Sequence, residues 1–176
     1  MSKHPLYIIV AVDEANGIGY QGQIPWHLKG DMQFFKKITT ETSVPGKQNM
    51  VVMGRKTWES LPERFRPLPD RVNVVLSRNH DYKLMGAELF NSLEQVVTVA
   101  DDSVEKIFVI GGATVYAQAL RSGLIDGIYL TRIARKFNCD AAFPEVPTEF
   151  KQVKSFGKEV EQGIEYEYLL YTRGNN

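Results

Sequence analysis

Four short runs of large apolar residues, separated by stretches of helical spacing, set the strongest limit on what this chain can become. They are Tyr-Ile-Ile-Val-Ala-Val at residues 7–12, Met-Val-Val-Met at 50–53, Val-Asn-Val-Val-Leu-Ser at 72–77 and Ile-Phe-Val-Ile at 107–110. A strand with one wet face alternates apolar and polar residues. These runs barely alternate, so they predict strands covered on both faces. Helices are predicted between them: residues 56–61, stopped by Pro62; residues 93–100, opened by Ser92 and Gln95 at capping-box spacing; and residues 113–121, ended near Gly123. Residues 128–133 predict a further strand. Residues 151–156 and 166–172 alternate more and predict antiparallel strands at one edge. Strands alternating with helices predict an α/β fold, a mainly parallel, twisted sheet with helices on both faces, in one domain over residues 1–176.

Ligands of such sheets bind beyond the carboxyl ends of the strands. The first candidate region is Ile-Pro-Trp-His-Leu-Lys-Gly-Asp-Met-Gln-Phe-Phe at residues 24–35. Pro25 disfavours helix at Ile24 and marks a boundary. In a helix over residues 31–39, Asp31 and Phe35 lie one turn apart on the same side. A charge among large apolar residues is costly unless paired or protonated. Asp31 is therefore either a helix-start residue answering orphan amides or an acid that recognises a flat polar ligand in an apolar slot.

Gly17, Gly19 and Gly22 match G-x-G-x-x-G, but they begin several residues past the strand and no helix opens at the third. The dinucleotide fingerprint needs strand, turn and helix in immediate succession. A mobile loop covering a pocket is the better expectation for these glycines. Three other strand ends suit phosphate. Gly54-Arg-Lys-Thr57 brings positive charge to a helix start, Ser77-Arg78 combines a hydroxyl with a forked donor, and Gly111-Gly112 opens a helix whose amides face a ligand. Together they fit a long ligand with several phosphates, such as NADPH. His27, near the pocket entrance, is expected to be solvated rather than catalytic, no metal-ligand spacing stands out, and no serine sits in a nucleophile elbow.

Composition narrows the classes. Hydrophobic residues at 43% and charged residues at 24% describe an ordinary globular chain. Zero net charge gives no broad field for nucleic acid or anionic membrane. A single cysteine, Cys139, excludes an internal disulfide. Without a leader or long apolar span, a cytoplasmic protein is expected, and a monomer by default.

In this order and spacing, Ile24-Pro-Trp26 with Asp31 and Phe35, Met53-Gly-Arg-Lys-Thr-Trp-Glu-Ser60, Arg66-Pro-Leu-Pro-Asp-Arg71, Leu76-Ser-Arg78, Ile110-Gly-Gly112 with Tyr116, and Tyr129-Leu-Thr131 resemble the dihydrofolate reductase family over essentially the whole chain. The resemblance implies an eight-stranded, mostly parallel sheet with an antiparallel C-terminal strand and four helices. It implies NADPH-dependent reduction of 7,8-dihydrofolate to tetrahydrofolate, with antifolates as further ligands. Asp31 would hold the pterin N3 and 2-amino group, and Thr131 would fix Asp31. Trp26 and Tyr116 would order water and the nicotinamide region. Ile9, Ala11, Leu28, Met32, Phe35 and Leu61 would wall the substrate, with Val10, Ser60, Leu68 and Ile110 beside them, and Arg71 would clamp a carboxylate. Ala11, Ile18 and Gly19 would meet the nicotinamide. Gly111, Gly112, Ala113, Thr114 and Val115 would cradle the pyrophosphate with Gly54, Arg55, Lys56 and Thr57. Arg55, Ser77 and Arg78 would hold the 2′-phosphate, and Leu76, Ile110, Tyr116 and Gln118 would complete the cofactor set. Residues 40–48 and 62–66 are longer than in the shortest bacterial members, and the acid is Asp, as in bacterial members, rather than the Glu of animal enzymes. Two alternatives stay open at this point: the pyrimidine reductase of riboflavin synthesis on the same fold, and a non-catalytic nucleotide- or pterin-binding module.

Overall fold

The apolar runs become the middle of one sheet in the computed structural model, which describes residues 4–174. In chain order the elements are β1 (Leu6–Val12), β2 (Gly17–Gly19), α1 (Lys29–Thr40), β3 (Gln48–Gly54), α2 (Arg55–Ser60), a 3-10 turn (Glu63–Phe65), β4 (Arg71–Leu76), β5 (Glu88–Phe90), α3 (Leu93–Val99), β6 (Val104–Gly111), α4 (Ala113–Ser122), β7 (Gly127–Ile133), β8 (Ala141–Ala142), β9 (Phe150–Glu161) and β10 (Ile164–Arg173). The main sheet has eight strands in the order β5-β4-β3-β6-β1-β7-β10-β9. β1 pairs parallel with β6 and β7, β3 with β4 and β6, and β4 with β5. β10 pairs antiparallel with both β7 and β9, so it alone runs against the other seven. β2 and β8 form a separate small antiparallel pair.

The pleat sends alternate side chains of each strand to opposite faces. Ile8, Val10 and Val12 of β1 join Leu93 and Val96 of α3 and Val115, Tyr116 and Ala119 of α4 in one core layer. Ile9 goes to the other face, with Trp58 of α2 and, partly buried, Phe35 and Ile38 of α1. Full burial of such a side chain contributes about 1.5–3 kcal/mol, so the continuous apolar runs are what two covered faces require. β9 is one of the two edge strands, exposed nearly throughout, and Lys151, Lys154 and Lys158 lie along it. Charged side chains of this kind discourage pairing with another edge.

The local signals are met with small shifts. Ser92 Oγ accepts from Gln95 N (3.1 Å), but Gln95 Oε1 accepts from Asn91 N (3.0 Å), one residue earlier than a standard capping box. α4 ends at Gly123 with φ 74°, the left-handed turn that glycine favours. No helix among the described residues is long and apolar enough to cross a membrane.

The strand order fixes where a ligand can lie. From β1 the chain crosses through α1 to β3, on one side. From β6 it crosses through α4 to β7, on the other. β1 and β6 are neighbours, so their carboxyl ends form the switch point where a crevice opens.

Candidate active site

Asp31 sits in the first turn of α1 and faces β7, where Thr131 Oγ1 donates to its Oδ1 at 2.8 Å. It does not cap the helix. The N-cap residue, Leu28, makes no side-chain bond, and the amides of Lys29 and Gly30 donate to Glu161 Oε2 (2.7 Å) and Oε1 (3.1 Å) from β9. The helix-start reading of Asp31 is thereby replaced, because its orphan amides are already answered from elsewhere. Burial pushes the Asp31 carboxyl up to about 6; the Thr131 bond opposes this, and the charges of Glu159 and Glu161 add to it.

Apolar side chains flank this acid. Phe35, Leu61, Leu68 and Ile110 pack on the layer that holds Ile9. Ala11 and Trp26 pack on the layer that holds Leu28, Tyr166 and Tyr168. Trp26 also meets Phe137, with ring centroids 5.2 Å apart, and Met32 is largely exposed. Two substrate-side candidates sit differently from the others. The Val10 side chain lies in the opposite core layer, because the pleat turns it away from Ile9 and Ala11, so only its backbone is placed to serve the site. Ser60 is exposed at the end of α2, and its hydroxyl donates to Thr57 O at 2.6 Å.

Arg71 lies at the amino end of β4, not beyond a carboxyl end. It is buried, with Nε donating to Pro69 O (2.8 Å) and Nη1 to Thr39 Oγ1 (2.9 Å). Thr39 in turn donates to Phe35 O at 2.7 Å, which ties the guanidinium to the last turn of α1. From Asp31 to Thr39 the helix rises about 12 Å at 1.5 Å per residue, so α1 spans the distance between acid and guanidinium.

The phosphate candidates follow β4, β3 and β6, three adjacent parallel strands, and so form a row on one edge. Gly111 has φ 131°, a conformation side chains rarely adopt, and the Gly111–Gly112 peptide is cis. A Cβ at Gly111 would lie 3.5 Å from Tyr116 Oη and 3.6 Å from Thr57 Oγ1. Gly112, the N-cap of α4, brings no side chain to the helix end. Tyr116 is buried and donates to Ile9 O at 2.8 Å; burial and the charge of Asp31 push its phenol up, so it stays neutral. Arg55 lies 3.6 Å from Glu59 and over the Tyr82 ring. Ser77 Oγ accepts from Asn79 N at 3.1 Å. Lys56, Arg78, Thr114 and Gln118 are exposed, Gly54 turns the chain into α2, and Leu76 and Val115 belong to the core layer behind them.

The loop that carries Gly17, Gly19 and Gly22 is anchored by residues that the sequence did not single out. Asp13 is buried; its Oδ1 accepts from Ala15 N (2.8 Å) and Gly17 N (2.7 Å) and its Oδ2 from Phe137 N (2.9 Å). These bonds hold its carboxyl below the ordinary range against the effect of burial. Arg132 donates to Asn16 Oδ1, and Gln21 N donates to Asp140 Oδ2, both at 3.0 Å. A Cβ at Gly17 would meet Cys139 Sγ at 2.6 Å. The first glycine of the G-x-G-x-x-G match is thus a packing residue against Cys139 and serves no phosphate. Ile18 packs on the core, and Gly19 pairs with Ala141. An Asp ending an apolar strand, with the chain turning after it, is an Asx-turn signal for Asp13. Its bond to Phe137 has no local signature.

Strand order, switch point and acid place the molecule among doubly wound α/β proteins that bind ligands across strand ends. The comparisons with known proteins make that class specific. The dihydrofolate reductase family model matches residues 5–173. The chain is 41% identical to dihydrofolate reductase of Drosophila melanogaster, covering 93% of this chain and 94% of that one. It is 39% identical to dihydrofolate reductase of Bos taurus, covering 97% and 98%. It is also 41% identical to the bifunctional dihydrofolate reductase-thymidylate synthase of Glycine max, over 94% of this chain and 33% of that protein. The chain belongs to the dihydrofolate reductase family.

Proposed function

We propose that the chain reduces 7,8-dihydrofolate to 5,6,7,8-tetrahydrofolate with NADPH, with Asp31 as the acid that binds and polarises the pterin. Reduction of dihydrofolate is the reaction of its family. The observation that carries the residue assignment is a carboxylate between apolar walls, bonded to Thr131 and pushed to about 6. One carboxylate oxygen receives Thr131, yet a carboxylate has about four lone-pair sites, so both oxygens can still accept side-by-side hydrogens from the pterin N3 and 2-amino group. A pKa near neutrality suits a group that must favour proton uptake at N5. Asp31 stabilises that positive charge, and water beside Trp26 delivers the proton. The Tyr116 hydroxyl donates to Ile9 O, which fixes the ring that, with Trp26, orders the water and the nicotinamide region.

NADPH, when bound, supplies the hydride for C6. The chain fits it: glycines at 111 and 112 leave open a cradle that a Cβ would fill, beside Thr57 Oγ1 and the first turn of α4. Gly111 and Gly112 with the amides of Ala113, Thr114 and Val115 would take the pyrophosphate. Arg55, Ser77 and Arg78 would take the 2′-phosphate, and Ala11 and Ile18 the nicotinamide. Arg71, pre-oriented by Thr39 at the far end of α1, would clamp a substrate carboxylate. We also propose a cytoplasmic, monomeric enzyme, whose zero net charge gives no broad field for nucleic acid or anionic membrane.

The test is loss of absorbance at 340 nm with dihydrofolate and NADPH, with NADH alongside. Rapid loss with NADPH and little with NADH supports the reading. No loss despite NADPH binding overturns it.

A further inference from the structure

We infer that Glu159 and Glu161 of the C-terminal hairpin are positioning residues for Asp31, Glu161 fixing the helix end that carries the acid and Glu159 setting a second negative charge toward it. The inference rests on the proposed role of Asp31. α1 has no side-chain cap of its own, and Glu161 takes its first two amides with both carboxylate oxygens. Those amides precede Asp31 by one and two residues, so the cap sets the start of the turn that aims the acid. Glu159 is held by its neighbours on β10. Its Oε2 accepts from Tyr166 Oη (2.8 Å) and Tyr168 Oη (2.9 Å), and Tyr166 Oη also reaches Glu161 Oε1 (3.1 Å). Position 30 has to be glycine for this clamp to close, because a Cβ there would overlap Glu159 Oε2 and the Tyr166 hydroxyl.

The groups that act on Asp31 come from three elements. β9 contributes Glu159 and Glu161, β7 contributes the hydroxyl of Thr131, and α4 contributes Tyr116. Tyr166 and Tyr168 lie behind the two glutamates, and burial pushes both phenols up, so they are neutral donors across the working range. His27 acts on Glu161. Asp31 therefore sees two fixed negative charges and no facing cation among these groups, and both charges favour its protonated form. Glu159 is exposed to solvent, which keeps its effect modest.

The experiment compares pH profiles of kcat and KM for dihydrofolate, from pH 5 to 9, for the full chain and for Glu159→Gln, Glu161→Gln and Asp31→Asn. The amide carbonyl introduced by Glu159→Gln can still accept from the tyrosines, so this substitution removes charge while keeping the clamp. Its profile should shift to lower pH, with turnover at pH 8 falling about threefold, which is half a pH unit. Glu161→Gln should raise KM more than it lowers kcat, as α1 loses one of its two amide acceptors. A Glu159→Gln profile that superimposes on the parent overturns the inference, as does a Glu161→Gln variant with unchanged KM. If Glu161→Gln does not fold, Glu159→Gln decides alone. Asp31→Asn separates the two levels: loss of its activity together with an unmoved Glu159→Gln profile sinks only this inference, whereas full turnover by Asp31→Asn at pH 7 sinks the role of Asp31 itself.

Discussion

Replacing Asp31 by Asn should make the ligand-free protein more stable at neutral pH while it removes turnover. In the folded state the Asp31 carboxyl is pushed from its ordinary 3.8 up to about 6. Between those values the folded chain holds a proton that the unfolded chain releases, so stability is lost as pH rises through this window. The full cost is reached above pH 6. At 1.36 kcal/mol per pH unit it amounts to about 3 kcal/mol. Asn cannot ionise, and its carbonyl can still accept from Thr131 Oγ1, the bond Asp31 now makes. Urea unfolding of both proteins should therefore show Asn gaining about 3 kcal/mol on Asp at pH 8, about 1.5 kcal/mol at pH 5 and about 0.5 kcal/mol at pH 4. An unpaired amide hydrogen would displace the whole series by a constant and leave its slope. A difference that does not change from pH 4 to pH 8 would refute the placement of the acid in a desolvated, negatively charged setting. The gain would mark Asp31 as a residue kept for chemistry at the expense of stability.

Other substitutions read separate parts of the site. Thr131→Val removes the bond that lowers the Asp31 pKa; the pH profile of kcat should move to higher pH and kcat/KM fall about tenfold, the counterpart of one charged hydrogen bond, and an unmoved profile counts against the pair. Gly111→Ala forces a side chain to φ 131°; a stability loss of about 1–3 kcal/mol with weakened NADPH binding is expected by calorimetry. Arg78→Ala should weaken NADPH far more than NADH, and equal losses would remove its 2′-phosphate role. Asp13→Asn should cost about 1–3 kcal/mol, since three amides share that buried carboxylate, measured as a lowered urea midpoint.

The central strands are legible in the sequence because burial on two faces leaves uninterrupted apolar residues, as at Ile8, Ile9 and Val10. β5 is not, since three residues at a sheet margin carry too little pattern. Sequence signals start α1 two residues late, at Asp31 rather than Lys29, because the group that completes the first turn is Glu161, far along the chain. Asp31 itself stands out as an acid in apolar company. What raises its proton affinity does not, because its burial, and the lesser charges of Glu159 and Glu161, come together only through tertiary folding. Gly17 shows the converse error that a motif invites: its spacing matches a phosphate loop, while its neighbour in space is Cys139.

The bond from Lys29 N to Glu161 joins residues 132 positions apart. During synthesis α1 leaves the ribosome long before the residue that caps it. The acid-bearing helix therefore waits, with bare amides and with Phe34 lacking its ring partners Phe156 and Tyr168, until the β9–β10 hairpin emerges. A nascent chain can assemble its phosphate-side glycines and β6 well before that moment, yet it cannot set the geometry around Asp31. Catalytic competence in this protein is a property acquired only when that hairpin has been made, and a stalled chain lacking β9 and β10 should bind no folate at all.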